Sequence, residues 1–135
     1  MADLKLDGLT VASSSGSPTV VNLDSDVASR ITAKGIAKAW VRFDGNTSPY
    51  NRIDSFNVSG ITRNTDGDYT VSFENDMAND NYCVCASAIR GNGYEPLLAS
   101  PKDGTFAVGS VGVVCKTDGG VAEDAAVFCV AIFGS

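Results

Sequence analysis

The chain has 135 residues, with 16 acidic and 10 basic side chains and no histidine, so its formal net charge is −6. The missing histidine excludes imidazole-based catalysis and imidazole-ligated zinc, and the acidic balance disfavours nucleic acid, whose phosphates would be repelled. No apolar run approaches the roughly 20 residues that span a bilayer, and the charged start Met1–Asp7 lacks the apolar stretch of a secretory signal, which predicts cytoplasmic synthesis and no membrane insertion.

The first 35 residues differ in composition from the rest of the chain. Residues 1–35 are predicted to be an N-terminal anchor or oligomerisation segment, and residues 36–135 a single head domain. Two short apolar pieces in the anchor, Leu9–Ala12 and Thr19–Leu23, can pair as a hairpin across a Ser/Gly/Pro loop. Because an isolated hairpin is marginal in water, it would need the main body or another copy of the chain as a partner. Residues 25–34 suit either one short helix or an irregular linker.

From residue 36 onward the apolar residues alternate with polar ones, which is the pattern of strands. Residues 94–104, which contain two prolines, indicate a loop instead. About seven main strands and little helix predict an all-β class, most simply an antiparallel β-sandwich or a jelly-roll-like fold. The predicted strands are Ala37–Phe43, Asp54–Ser59, Tyr69–Phe73, Tyr82–Ile89, Phe106–Val108, Gly109–Cys115 and Ala125–Phe133.

The last strand is apolar on both faces. A strand of this kind either lies centrally in its sheet or turns one face toward another subunit, and the second option is favoured because one small core serves the whole chain. Trp40, between two basic residues on the polar face of its own strand, either caps the core edge or serves as a stacking platform or interface anchor. The residues assigned to an oligomer interface are therefore Trp40, Phe128, Val130 and Ile132.

Candidates for chemistry are few. The four cysteines Cys83, Cys85, Cys115 and Cys129 lie in apolar runs, and without an export signal they are expected to be reduced, small and buried. The acid pairs Asp66 with Asp68 and Asp76 with Asp80 lie in turn sequences, where aspartate usually bonds its own backbone. The strongest turn is predicted at Asp66-Gly67, because Asp-Gly suits positive φ. No catalytic residue, cofactor or metal ligand is therefore predicted, although calcium held between separate loops stays open.

Two loops are better candidates for recognition than for catalysis. Tyr50 and Arg52 lie in one loop and Tyr94 in another, both rich in Asn, Gly and Arg. Loops of this composition form adaptable binding surfaces. Tyr50, Arg52 and Tyr94 are accordingly the predicted binding residues, with the alternative that each tyrosine packs onto its own domain.

A stretch of about 55 residues is similar to a known pattern. Lys38-Ala39-Trp40-Val41-Arg42-Phe43 is followed by Ile53-Asp54-Ser55-Phe56-Asn57-Val58-Ser59-Gly60-Ile61-Thr62, then by Gly67-Asp68-Tyr69-Thr70-Val71-Ser72-Phe73 and Asn81-Tyr82. This order resembles a module near the C-termini of tail-fibre proteins of tailed bacteriophages, especially phages of cyanobacteria and other marine bacteria.

The resemblance implies a structural virion protein and a homotrimer, exposed on the particle and contributing to host adhesion. It implies attachment to other phage structural proteins through residues 1–35, a host-surface glycan as the molecule bound, and no enzymatic activity. Fibre proteins are usually longer, so a capsid decoration protein is the main alternative, and a carbohydrate-active tailspike enzyme is a third.

Overall fold

The computed structural model describes residues 4–6, 9–12, 36–47, 51–91 and 95–134. Within these ranges the chain forms ten β-strands and no helix, which confirms the all-β class. The predicted helix at 25–34 lies outside the described residues. The strands are β1 (Leu4–Leu6), β2 (Leu9–Ala12), β3 (Ala37–Asp44), β4 (Asn51–Phe56), β5 (Val58–Thr65), β6 (Asp68–Phe73), β7 (Tyr82–Ile89), β8 (Pro96–Pro101), β9 (Ser110–Lys116) and β10 (Val127–Gly134).

Eight of these strands form one antiparallel sheet in the order β4-β3-β10-β7-β8-β9-β6-β5. The sheet curls until its two edge strands, β4 and β5, approach each other, so the architecture is a nearly closed barrel-like sheet. The expected sandwich or jelly roll is thus not what the described strands form. β1 and β2 make a separate hairpin. In the hairpin expected from the sequence, β2 would pair instead with Thr19–Leu23, which lies outside the described residues.

A corner at Asn57 brings the two edge strands together. Asn57 has a φ of +52°, a left-handed conformation that asparagine adopts more readily than most residues. Its side-chain amide donates to the carbonyl oxygens of Lys38 and Asn75, each at 3.1 Å. The single strand expected over Asp54–Ser59 is therefore two strands that change direction at this residue.

Alternation places one face of each strand in the core. In β3 the side chains of Ala39, Val41 and Phe43 are buried, whereas those of Trp40 and Arg42 are exposed. The centre of the core is aromatic. Phe43 stacks on Phe128 with ring centroids 5.2 Å apart, and Tyr69 meets both rings edge-on at 5.1 and 5.7 Å. Such offset and edge-to-face contacts add to the free energy gained from burial.

The structure corrects the orientation expected for the C-terminal strand. Phe128, Val130 and Ile132 are at most 2 % exposed and belong to the core of the chain itself. They are therefore not available to another subunit. The half-buried side chains between them face outward instead. With both faces apolar, the sequence pattern cannot tell which face meets the core; the pairing partners β3 and β7 decide it.

Two further expectations about strands were wrong. Residues 96–101, expected to be loop, form β8. Its residues 98–101 pair with β9, and its first two residues pair with β7 as Ala88–Leu97 and Ile89–Pro96. Proline is tolerated here because Pro96 and Pro101 lie at the two ends of the strand. Phe106–Val108, expected to be a strand, makes only an isolated bridge through Ala107.

The cysteines also depart from expectation. Cys115 is buried, but Cys83 and Cys85 are exposed and Cys129 is half-buried. All four are free thiols in the structure. Cys83 and Cys85 are two residues apart on β7, so they share the outer face. Cys83 and Cys85 are therefore not the buried apolar side chains that the surrounding apolar sequence predicted.

Candidate functional site

The strand directions give the barrel two distinct ends. At one, here called the upper end, β3 leads to β4, β5 to β6, β7 to β8, and β9 to β10. The sequence segments that make these connections are 45–50, 66–67, 90–95 and 117–126. At the opposite, lower end, Ile36 enters β3 and Gly134 ends β10. Because residues 1–35 precede Ile36, the N-terminal segment joins the barrel at the end opposite the upper connections.

A polar cleft opens at the upper end. It has a volume of about 470 Å³ and takes residues from all four connections. A neighbouring cleft of about 540 Å³ shares Arg90 with it. Acidic, basic and amide groups predominate in the first cleft, which suits hydrogen bonding to a polar ligand. It is lined by Asn46, Arg63, Asp66, Arg90, Gly91, Ala122, Glu123 and Asp124.

Asp124 holds the floor of this cleft together. Its carboxylate accepts hydrogen bonds from Arg63 Nε at 2.9 and 3.0 Å, from Tyr69 Oη at 2.6 Å and from the Gly67 amide at 2.8 Å. Arg63 Nη2 adds an ion pair at 2.7 Å. These groups come from β5, β6, the 66–67 turn and the last connection. One carboxylate therefore joins the last connection to the β5–β6 hairpin.

The same contacts set the ionisation of the cleft floor. Burial by itself would raise the pKa of Asp124, but hydrogen bonds from Arg63, Gly67 and Tyr69, together with the charge of Arg63, outweigh it and lower that pKa below its ordinary value. Burial, followed by the hydrogen bond to Asp124, raises the pKa of Tyr69. At neutral pH, Asp124 is therefore a carboxylate that accepts hydrogen bonds, and Tyr69 is a neutral phenol that donates one.

Two glycines allow the connections to approach this closely. Gly67 has a φ of +64°, and a Cβ there would lie 2.4 Å from the Cys115 carbonyl oxygen. Its own carbonyl oxygen accepts the Cys115 amide at 2.8 Å. A Cβ on Gly45 would lie 2.2 Å from Tyr69 Oη, and the Gly45 amide donates to Ala125 O at 2.9 Å. The predicted Asp66-Gly67 turn is thus confirmed, and its glycine also fits beneath the last connection.

Arg90 forms the rim shared by the two clefts. Its Nε donates to Glu123 Oε1 at 2.5 Å, and its Nη1 donates to Glu95 Oε2 at 2.7 Å. Hydrogen bonds to Glu95 and Glu123 and the charge of Glu123 raise the pKa of Arg90. The Arg90 side chain is 43 % exposed, so part of this guanidinium remains accessible to a ligand.

Asp66 and Asp68, one of the two acid pairs in the turn sequences, take part in separate ion pairs. Asp66 forms an ion pair with Arg63, whereas Asp68 binds Lys102 Nζ at 2.5 Å and Asn64 Nδ2 at 2.9 Å. Burial opposes ionisation of Asp68, but these hydrogen bonds and the Lys102 charge lower its pKa. Neighbouring positions in the sequence therefore carry carboxylates that serve separate ion pairs.

The predicted binding residues fare differently from one another. Tyr50 and Tyr94 lie outside the described residues. Arg52 is exposed, but its guanidinium donates to the Val58 carbonyl oxygen between β4 and β5 and does not line either upper cleft. Trp40 lies on the outer face of β3, 36 % exposed, beside a shallow groove of about 370 Å³.

The sequence did not single out the residues that build the cleft. Arg63 and Asp124 are 61 residues apart, and Arg90 and Glu123 are 33 apart. No spacing rule joins such distant positions. The available signal is that charged residues lie in or beside the Gly-containing stretches 44–46, 63–67, 90–91 and 118–124, which only the strand order brings to one end.

Over the described residues, no group of three or more Cys, Asp or Glu side chains is arranged to hold a metal ion. No helix in the same ranges has the length and apolar character needed to cross a membrane.

Comparisons of the chain with protein-family models, curated proteins and solved structures give no match.

Proposed function

We propose that this protein is a fibre-like structural protein of a tailed bacteriophage virion that contributes to adhesion at the host surface through its upper end. The observation that carries the proposal is that the two ends of the barrel differ. Residues 1–35 join at the lower end, and the polar clefts open at the opposite end. An N-terminal attachment to the particle would therefore leave the clefts facing outward.

The chemistry of the cleft supports recognition more than hydrolysis. Glycosidases use one carboxyl group as a general acid with a raised pKa and a second as nucleophile or base. Here the pKa of Asp124 is lowered and its oxygens accept bonds from Arg63, Gly67 and Tyr69. Glu123 is engaged by Arg90. Fixed ion pairs of this kind present directional donors and acceptors, which suit a hydroxyl-rich glycan.

The expected loop residues are compatible with this role. Tyr50 and Tyr94 belong to connections whose described parts contain Asn46 and Gly91, and both of these residues line the cleft. Aromatic rings beside hydrogen-bonding groups are a usual combination for sugar binding, because the ring covers the apolar face of the sugar. The two tyrosines therefore remain part of the proposal as sequence predictions.

Cell binding tests the proposal. The fluorescently labelled full chain is incubated with a panel of cyanobacterial and marine bacterial cells, and binding is measured by flow cytometry. Arg90→Ala and Asn46→Ala at the upper end should weaken binding to the responsive strain by roughly tenfold, as expected for a central polar contact. Asp80→Ala, on the exposed connection at the lower end, is the control and should bind normally.

Localisation on the particle tests the other half of the proposal, namely that the protein is part of the virion tail. Antibody labelling of intact virions should place the protein on the tail, and Fab fragments that block Arg90 should reduce adsorption. Labelling over the capsid at many copies would support the alternative of a decoration protein. Equal binding by the upper-end variants and the control would overturn the adhesive role.

A further inference from the structure

Each of the two arginines in the upper clefts is shared between two carboxylates. These groups, here called the charge triplets, are Asp66–Arg63–Asp124 and Glu95–Arg90–Glu123. Each triplet carries a formal charge of −1, because one cation faces two anions. Asp118, exposed in the neighbouring cleft, adds a further negative charge. Two triplets at −1 each and Asp118 give the two clefts a combined charge of −3, half of the −6 that the whole chain carries.

The outer carboxylate of each triplet is more exposed than its arginine. In the first triplet the Asp66 side chain is 75 % exposed and the Arg63 side chain 27 %. In the second triplet the Glu95 side chain is 55 % exposed and the Arg90 side chain 43 %. A ligand that enters from solvent therefore meets a carboxylate before it reaches a guanidinium. Because the walls of a cleft concentrate the field of the charges that line it, this negative potential acts on any charged ligand that enters.

Both arginines of the clefts are already engaged, so neither is reserved for an acidic ligand. The sequences of the four upper connections contain one basic residue, Arg90, and the first cleft takes Arg63 from β5. An adjoining depression of about 350 Å³ adds Lys102 and Lys116, yet three aspartates line it as well. An acidic group on a ligand would therefore enter without a cation of its own, and placing like charges together weakens binding.

Uncharged sugars match this arrangement. A sugar hydroxyl donates to a carboxylate without needing a counter-ion, and such charge-assisted hydrogen bonds are stronger than those between neutral groups. The amide of Asn46, in the same cleft, both donates and accepts. We infer that the glycan bound at the upper end is neutral, and that glycans bearing carboxylate, sulfate or phosphate groups are excluded. This inference rests on the adhesive role proposed above and adds the chemical class of the ligand.

Separation of the responsive strain's surface polysaccharide by charge provides the first test. Anion exchange yields a neutral and an acidic fraction, and binding of each to the immobilised full chain is measured by biolayer interferometry in about 50 mM NaCl, where charges are weakly screened. The neutral fraction should bind, and the acidic fraction should bind at least about tenfold more weakly. Equal or preferential binding of the acidic fraction would overturn the inference while leaving adhesion intact. Binding of neither fraction would overturn the proposed glycan adhesion, and this inference with it.

Oxidising the primary hydroxyls of the neutral fraction to carboxylates gives a matched acidic ligand for the second test. The wild-type chain should bind this oxidised glycan at least about tenfold more weakly than the untreated one. The double variant Asp66→Asn with Glu95→Gln removes the exposed carboxylate of each triplet and leaves each arginine one carboxylate partner. This variant should recover binding to the oxidised glycan. Its retained binding to the untreated glycan shows that the clefts keep their shape.

The matched control removes the same number of charges from the other end of the barrel. Asp76→Asn with Asp80→Asn changes two exposed aspartates of the lower end, so both double variants carry a formal charge of −4 instead of −6. The control should exclude the oxidised glycan as the wild-type chain does. Equal recovery in the two double variants would assign the effect to net charge, and no recovery in the upper-end variant would separate it from the triplets. Either result would overturn the inference.

Discussion

Substituting Asp124 by asparagine removes the charge that joins the last upper connection to the β5–β6 hairpin, while keeping the shape of the side chain. The carboxylate accepts bonds from Arg63, Tyr69 and Gly67, and its side chain is only 20 % exposed. An amide has one acceptor oxygen and places a donor against Arg63. Because hydrogen bonds to a charged group contribute about 1.5–3 kcal/mol each, and partial exposure reduces this, Asp124→Asn should cost about 2–3 kcal/mol of unfolding free energy at pH 7.

The pH dependence makes this prediction specific. The folded-state pKa of Asp124 is lowered, so the folded protein binds the proton more weakly than the unfolded chain does. Its contribution to stability is therefore complete above the unfolded value of about 4 and is lost as the pH falls through the lower, folded value. The difference between wild type and Asp124→Asn should accordingly be largest near neutrality and shrink below pH 4.

Urea denaturation followed by tryptophan fluorescence at pH 7, 5 and 3 measures this difference, since Trp40 is the one tryptophan of the chain. Asp80→Asn, at an exposed position of the lower end, is the control and should change stability by less than about 0.5 kcal/mol. A difference between wild type and Asp124→Asn that is small at pH 7, or that persists unchanged at pH 3, would refute the assigned role of the carboxylate.

Two further predictions test the turn and the core. Gly67→Ala should destabilise the protein by about 2 kcal/mol or more, because a positive φ costs roughly 1–2 kcal/mol and the new Cβ meets the Cys115 carbonyl oxygen. Gly104 has a similar φ of +71°, but a Cβ added there would have no atom within 4 Å, so chemical denaturation of Gly104→Ala should show the backbone cost alone. Equal losses of stability in the two variants would contradict the steric argument for Gly67. Phe128→Ala should cost about 3–5 kcal/mol by the same assay, since the ring is fully buried. A stability loss near zero would contradict the buried position of the Phe128 ring and would favour the outward position expected from the sequence.

Local pattern was sufficient for much of the fold. Alternation in Ala37–Phe43 and Tyr69–Phe73 predicted both the strands and their buried faces, and both are confirmed. The Asp66-Gly67 turn was readable because Asp-Gly suits positive φ. Each of these features depends on residues close in the chain. A short window of sequence therefore contains the information that determines them.

Other features depended on contacts between distant residues. Pro96 and Pro101 made a strand look like a loop, yet the two prolines stand at its opposite ends, where Pro96 lies opposite Ile89 of β7 and Pro101 lies opposite Val113 of β9. Phe128, Val130 and Ile132 were assigned outward although they are buried, because a strand apolar on both faces does not specify its own orientation. The position of β10 between β3 and β7 supplies that information.

The sequence by itself therefore determined the all-β class, most of the strands and the tight turns, together with the acidic charge and the absence of histidine. Only the tertiary structure decided that the sheet curls toward closure and that Arg63, Arg90, Glu123 and Asp124 meet at one end. The physical reason is the separation along the chain over which each effect acts. Propensity and alternation act over a few residues, whereas the ion pairs of the cleft join residues that only strand order brings within hydrogen-bonding distance.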